Sequence, residues 1–329
     1  MIRQSMFALL AGAAIISASA VQGQSAVENW PQRAITLFVP APPGGAADTL
    51  SRAVAEGLSA HLGQAVVVEN RSGGTGTLSW QATLRAPADG YTYALGYPSV
   101  LINSQFMIKD LPFNTQRDLQ SVVGIAFTEL VMNVNASVPA KNPQELIDWL
   151  KKQTGNLAHG SYGEGSYSHI VGSHLNRLHG INAVHVPYKG EQPMMLGMAG
   201  NEYPYGITTL SVGKNFQDTG KTRMIGIFTP NRSPLRPELP TFKESGMTDP
   251  ALQMTAWFGL FSRKDVPQAI TQKMEAAVLR VLNTPVVRER LTTLSMPAWG
   301  ATGKELEATW FSEISIYEKL LRQAGVQMH

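Results

Sequence analysis

Two hydrophobic periods alternate along the chain. AITLFV (34–39) is a continuous apolar run of strand length, after which Leu50, Val54, Leu58 and Leu62 recur at helical spacing until Gly63 stops them. AVVVEN (65–70) reads as a second strand. A glycine loop (71–77), a short helix to about Arg85, the turn APADG and a third strand around Tyr91 to Leu95 follow. That order predicts a βαβαβ unit with a parallel sheet.

The pattern then returns with strand LVMNV (130–134), helix PQELIDWLKKQ (143–153), strand NLAHG (156–160), a Gly/Ser loop, a helix from about Ser168 to Leu178 and strand AVHVP (183–187). Two similar α/β lobes are the simplest account. Beyond TAWFGLFS (255–262) the segments PQAITQKMEAAVLRVL and KELEATWFSEISIYEKLLRQAG are helical, and no further strand is expected. Such a tail would cover a lobe already built.

At the start, Arg3 precedes an apolar stretch from Met6 to Ile16 and the small triplet Ala18-Ser19-Ala20. This predicts a secretory signal peptide over residues 1–23, cleaved near Ala20 or Gly23. The stretch is shorter than the ~20 residues of a spanning helix, so an exported product without membrane insertion is expected. The rest of the 329 residues exceeds one typical domain, and 43% hydrophobic content suffices for two cores. The absence of cysteine excludes disulfides, thiolate metal sites and a cysteine nucleophile. A net charge of +3, evenly dispersed, gives no argument for nucleic acid.

In parallel α/β sheets ligands collect outside the carboxyl ends of strands, where helix N-termini present unpaired N–H groups. Two loops have that placement. In APPGGAAD (41–48) the prolines stiffen the strand exit and Gly44 and Gly45 allow close backbone approach, while Asp48 could cap the helix through the N–H of Leu50 or Ser51. GSYGEGSYSH (160–169) offers Ser161 and Ser166 as hydroxyl donors and three glycines. Two positive helix ends facing each other would suit a small molecule with anionic groups.

Other chemistries fail on their motifs. No phosphate-loop lysine follows either glycine loop, and GTGTLS (74–79) and GEGSYS (163–168) miss the third glycine of a dinucleotide fingerprint. The esterase elbow fails at Ser161, where His159 replaces the first glycine. His169, His174 and His179 recur every five residues, off a common helix face, so no metal site is expected. The plainer role for His169 is a bond to nearby backbone. A secreted hydrolase using Ser161 or Ser166 with His169 stays a rival from another class, with Asp48 its evident acid.

The run WPQRAITLFVPAPPGGAADTLSRAVAEGLSAHLGQAVVVENRSGGTGTLSWQATLRAPADGYTYALG resembles the opening of the Bug (TctC-like) receptors of tripartite tricarboxylate transporters. LAHGSYGEGSYSH, HVPYKG, RSPLRPELPTFKESG and WFGLFSRKDVPQAI agree with it in order. The resemblance implies a periplasmic receptor of the type II binding-protein architecture, without catalysis or cofactor, monomeric, delivering a small carboxylate to membrane permease subunits. A sensor docking to a membrane signalling protein is the other reading. Each lobe would be a mostly parallel sheet flanked by helices, with the C-terminal helices packing back on the first lobe. Lobe one would span 28–127, completed by 258–329, and lobe two 128–257.

Carried over by position, the first-lobe loop is Ala41, Pro43, Gly44, Gly45 and Asp48, and the second-lobe loop Ser161, Gly163, Gly165, Ser166 and His169. Glu164 should point into solvent. AGNEYPYGITTL (199–210) departs from the family: Tyr203 stands where an aspartate is usual, and Pro204 would interrupt a central strand. Aromatic residues expected around the cleft are Tyr97, Tyr162, Tyr167, Tyr188, Tyr203, Tyr205, Trp257 and Phe258, a flat wall suited to an aromatic carboxylate. Of these Tyr97, Tyr162, Tyr188 and Trp257, with Thr208, complete the expected ligand contacts.

Overall fold

The computed structural model describes residues 28–326, so the expected signal peptide lies outside the described residues. The first unit forms as its periodicity predicts: β1 (Ile35–Val39), α1 (Ala46–Leu62), β2 (Val66–Asn70), α2 (Thr77–Arg85) and β3 (Thr92–Gly96). β1 pairs in parallel with both β2 and β3. Gly63 ends α1 in the left-handed conformation at φ 67°, its N–H returning to the Ser59 carbonyl.

β4 (Leu119–Thr128) follows, and Glu129 alone separates it from β5 (Leu130–Asn135). Then come α3 (Pro143–Leu150), β6 (Leu157–Ser161), α4 (Tyr167–His179), β7 (Ala183–Pro187), α5 (Glu191–Ala199), β8 (Tyr205–Thr209), α6 (Leu210–Gln217) and β9 (Thr222–Ile227). The chain closes with β10 (Ala256–Arg263), α7 (Gln268–Leu282), α8 (Pro285–Thr293), β11 (Ala298–Thr302) and α9 (Gly303–Gln323).

These strands make two sheets, ordered β11-β4-β10-β3-β1-β2 and β7-β6-β8-β5-β9. Four strands of each run one way. β10 and β11 run against the rest of the first sheet, and β5 against the rest of the second. The carboxyl ends of β1, β2 and β3 therefore face those of β6, β7 and β8, and both chain crossings between sheets lie on that side. A continuous apolar core joins the sheets, with Leu101, Tyr167, Phe261, Trp310 and Tyr317 among its members. α9 packs on β4 and also on α4, so the last helix touches both lobes.

Two expectations are corrected. A strand does occur after residue 262, because β11 pairs with β4 at the sheet edge. Its pairing breaks between Ala298 and Ala301, and its burial is poor, so PAWGAT carries neither a clean alternation nor a continuous apolar run. It is fixed instead by Trp299, whose ring lies 2.5 Å from where a Cβ on Gly124 would stand. Pro204 does not interrupt a strand: β8 starts one residue later, and the Pro204 carbonyl accepts the Asn135 N–H at 2.9 Å.

Tyr203 fills the core of the second lobe at 2% exposure, donating its hydroxyl to the Met194 carbonyl. A Cβ on Gly160 would meet its ring at 2.1 Å. Gly160→Ala is therefore expected to destabilise the protein by about 1–3 kcal/mol, and Tyr203→Leu in the same chain to recover part of that loss. Urea denaturation of both single variants and the pair measures the coupling; additivity within about 0.5 kcal/mol would contradict the contact.

Candidate functional site

Between the sheets lies a cleft of about 610 Å³, lined by Pro40, Pro42 and the loop Ser72–Gly76 from one side and by Tyr162, Gly163, Glu164, Ser166, Tyr188, Lys189 and Gly190 from the other. Tyr97 and Ser99 form its floor together with Tyr162. Beneath that floor a second chamber of about 80 Å³ shares Tyr97, Ser99, Tyr162 and Gly190 with the first. Tyr97 is set by its hydroxyl on the Pro40 carbonyl at 3.1 Å and by Phe258, edge-on at 5.6 Å.

Each flanking loop is held from behind by a glycine amide reaching a side chain four residues on. In the first lobe Gly44, at φ 85°, donates its N–H to Asp48 Oδ2 at 2.9 Å. Asp48 is fixed in turn by Arg52 at 2.9 Å and by Asn70 Nδ2 at 2.9 Å. Burial opposes its charge, but these three donors hold its carboxyl below the usual range. In the second lobe Gly165, at φ 67°, donates to His169 Nδ1 at 3.0 Å, and the His169 N–H meets the capping hydroxyl of Ser166. A Cβ on Gly165 would strike Met107 Sδ at 2.1 Å.

Behind the second loop three imidazoles stack. His169 lies 3.5 Å from His185, ring to ring, and His159 5.3 Å from His185. Ser161 Oγ donates to the Gly163 carbonyl at 3.0 Å and contacts His185 Nε2 at 2.6 Å, so the imidazole is the donor in that pair. Burial lowers all three histidines, to about 3 for His159 and His169 and about 4 for His185. Neutral rings of this kind build the wall rather than carry charge.

Glu191, the first residue of α5, places a carboxylate between the lobes. Its Oε2 accepts the N–H of Ala46 at the start of α1 at 3.3 Å. Its Oε1 accepts the Thr208 hydroxyl at 2.8 Å and the Thr209 N–H, at the start of α6, at 2.9 Å. Next to it Gln192 Nε2 donates to the Gly44 carbonyl at 3.1 Å. Two helix N-termini do face an anionic group across the cleft, but they are those of α1 and α6 and not the expected pair α1 and α4, and the anion belongs to the chain.

The structure brings Tyr97, Tyr162, Gly163, Ser166 and Tyr188 to the cleft, with Gly45 and Thr208 beside Glu191. Others stand elsewhere. Asp48 does not accept from Leu50 or Ser51, because α1 begins at Ala46 and the carboxylate turns back to Gly44. Pro43 and Gly44 are exposed and Pro42 lines the cleft in their place, while the Ala41 carbonyl takes Asn70 Nδ2 at 3.0 Å. Ser161, Gly165 and His169 are buried behind the loop. Trp257, at 1% exposure, donates to Glu313 in the core at 2.9 Å, and its neighbour Phe258 lines the inner chamber. Tyr205 is likewise core, bonded to Asn176 at 2.6 Å. Glu164 is exposed, as expected, at the rim.

Ser161 cannot serve as a nucleophile: it is fully buried, and it is His185 rather than His169 that reaches it. Three features had not been expected. The loop Ser72–Gly76 was set aside as a failed dinucleotide motif, yet its position after the strand beside β1 already placed it at the same sheet end. Lys189 and Glu191 were the charged residues directly following AVHVPY, a strand exit of the same kind.

The profile of the tripartite tricarboxylate transporter family receptor (TctC) matches residues 50–325. BugT of Bordetella pertussis is 27% identical over 98% of this chain and 99% of its own. Rpa4515 of R. palustris, solved with adipate, superposes with a TM-score of 0.86 at 27% identity, covering 92% of this chain and 100% of that one. MatC of Rhodopseudomonas palustris with bound malate gives 0.81 at 28%, covering 89% and 100%.

The histidine stack makes stability depend on pH. Between about pH 6.5 and 4 the unfolded chain binds protons that the three folded imidazoles refuse, so stability falls as pH falls, by up to about 1.4 kcal/mol per pH unit for each. Burial raises Glu313 to about 7 and also raises Glu129, and these two groups act in the opposite sense. Three bases outweigh two acids. The melting temperature is expected to be several degrees lower at pH 5 than at pH 7, and His185→Gln to narrow the gap; a calorimetric scan at both pH values decides.

Proposed function

Because the chain belongs to the tripartite tricarboxylate transporter receptor family, we propose that it captures a small carboxylate between its lobes and delivers it to the membrane permease subunits of such a transporter. The family is one of periplasmic solute-binding receptors and not of enzymes. No helix among the described residues is long and apolar enough to cross a membrane. An export signal over residues 1–23 would bring the mature chain to the periplasm. Lobe one comprises 28–127 completed by 258–329, and lobe two 128–257.

One observation carries the ligand class. The cleft is walled by glycine loops from both sheets, and among the described residues the N–H groups of Gly73, Gly74 and Thr75 have no partner in the protein. Free amides before the N-terminus of α2, together with Ser166 and Lys189 opposite, form a concave surface rich in donors, the chemistry that a carboxylate requires. The adipate and malate bound by the two relatives fall in the same class. Ligand closing the lobes gives the permease a shape to recognise.

A thermal-shift panel of mono-, di-, tri-, amino- and aromatic carboxylates tests this reading. At a hundred times its Kd a ligand adds about 2.7 kcal/mol, several degrees for a chain of this size. At least one acid should raise the melting temperature, and Gly45→Trp should abolish the rise, since φ at Gly45 is −80° and suits any residue while its Cβ would stand 3.8 Å from Glu191 Oε2, where the bulk disturbs the junction of the two lobes. If no acid moves the transition, the carboxylate reading is wrong.

A further inference from the structure

We infer that the inner chamber is an ammonium subsite, so that the ligand carries a cationic nitrogen at one end and its carboxylate at the other. This rests on the carboxylate reading of the outer cleft and names what occupies the rest of the ligand. Among the described residues that line the chamber, Glu191 alone bears a full charge. The walls are aromatic: Tyr97, Tyr162, Tyr167, Phe258 and Tyr317.

A carboxylate within an aromatic enclosure is the arrangement that attracts an organic cation. The ring faces are electronegative and the carboxylate supplies the counter-charge. No lysine, arginine or histidine among the described residues pairs with Glu191; its partners are the amides of Ala46 and Thr209 and the Thr208 hydroxyl. Those three donors fix the position of the carboxylate and leave its charge uncancelled by any cation. The tyrosines do not add competing anions, because burial, and for Tyr97 and Tyr162 also the charge of Glu191, raises their pKa values above the ordinary phenol range.

The same carboxylate makes the chamber a poor home for a second acid group. A diacid would bring like charge against Glu191 in a confined space, with the α1 and α6 amides already taken. At about 80 Å³ the chamber admits a head group and not a whole ligand. Tyr97, Ser99, Tyr162 and Gly190 border both cavities, so a ligand that turns the Tyr97 or Tyr162 ring aside on entry would reach both, its ammonium inward and its carboxylate toward Lys189 and the Gly73–Thr75 amides. An ω-amino acid has that form.

The experiment is isothermal titration of the full mature chain with 6-aminohexanoate, adipate and hexanoate and with their shorter homologues, which differ only in the terminal group. Some aminocarboxylate should bind about tenfold or more tighter than the diacid and the monoacid of matched length. Glu191→Gln should cut the preference for the aminocarboxylate over the monoacid about tenfold, and Thr208→Val, which frees the carboxylate without removing it, several-fold, the ratio of the two affinities cancelling any change in lobe bridging common to both ligands. Both variants are checked for an unchanged ligand-free melting temperature, and either alone suffices for the comparison. Diacid or monoacid binding at equal or greater strength, or aminocarboxylate binding indifferent to both substitutions, overturns the ammonium subsite and leaves the carboxylate receptor standing. If no carboxylate of any kind binds, the receptor reading falls and the subsite with it.

Discussion

A backbone that must meet a ligand directly has no side chains in front to hold it, so it must be held from behind. Both flanking loops meet that constraint in the same way. The amide of Gly44 is anchored on Asp48 and that of Gly165 on His169, each four residues on and each in the first turn of a helix. The chemistry of the anchors differs. Asp48 stays ionised because Arg52 and Asn70 share its charge, whereas His169 stays neutral because it is stacked and buried. Either anchor fixes the backbone of its loop from the side of the helix it precedes.

The sheets add the second half of the geometry. Strands that run the same way present their carboxyl ends together, and the reversed strands β5 and β10 return the chain across the cleft. Glu129 is the whole of one crossing, so at that point a single residue links the two lobes. Glu191 and Gln192 then bridge the open side of the same cleft, on α1 and its preceding turn. The lobes are thus joined by covalent chain at the crossings, by the shared apolar core and α9, and at the mouth by the hydrogen bonds of Glu191 and Gln192.

Much of this was legible in the sequence. β1 to β3 and β6 and β7 follow from apolar runs bounded by glycine turns, and the two loops from their place between strand and helix. What was hidden depends on distant neighbours. Asp48 and His169 sit on the expected ligand loops, and their bonds to the amides of Gly44 and Gly165, both in the left-handed region, appear only in the fold, although the spacing Gly-x-x-x-Asp and Gly-x-x-x-His was there to compare. Trp257 and Phe258 alternate across a strand, and which of the two faces the cleft depends on a register that the local pattern leaves open. β11 is held by Trp299 over Gly124, a contact across more than half the chain. Glu191 gains meaning only when α1 and α6 converge on it.

The place of β10 has a consequence for how the molecule is assembled. The second sheet is drawn from one unbroken stretch, β5 to β9, and can close on itself as soon as that stretch exists. The first sheet cannot, because β10 lies between β3 and β4 and is made after the other lobe is complete. A chain emerging amino end first therefore carries an open seam through the middle of its first sheet, with two apolar strand edges waiting for a partner that is more than a hundred residues behind them. That order favours early completion of the second lobe, and it leaves the first as the part most exposed to wrong pairing until β10 arrives.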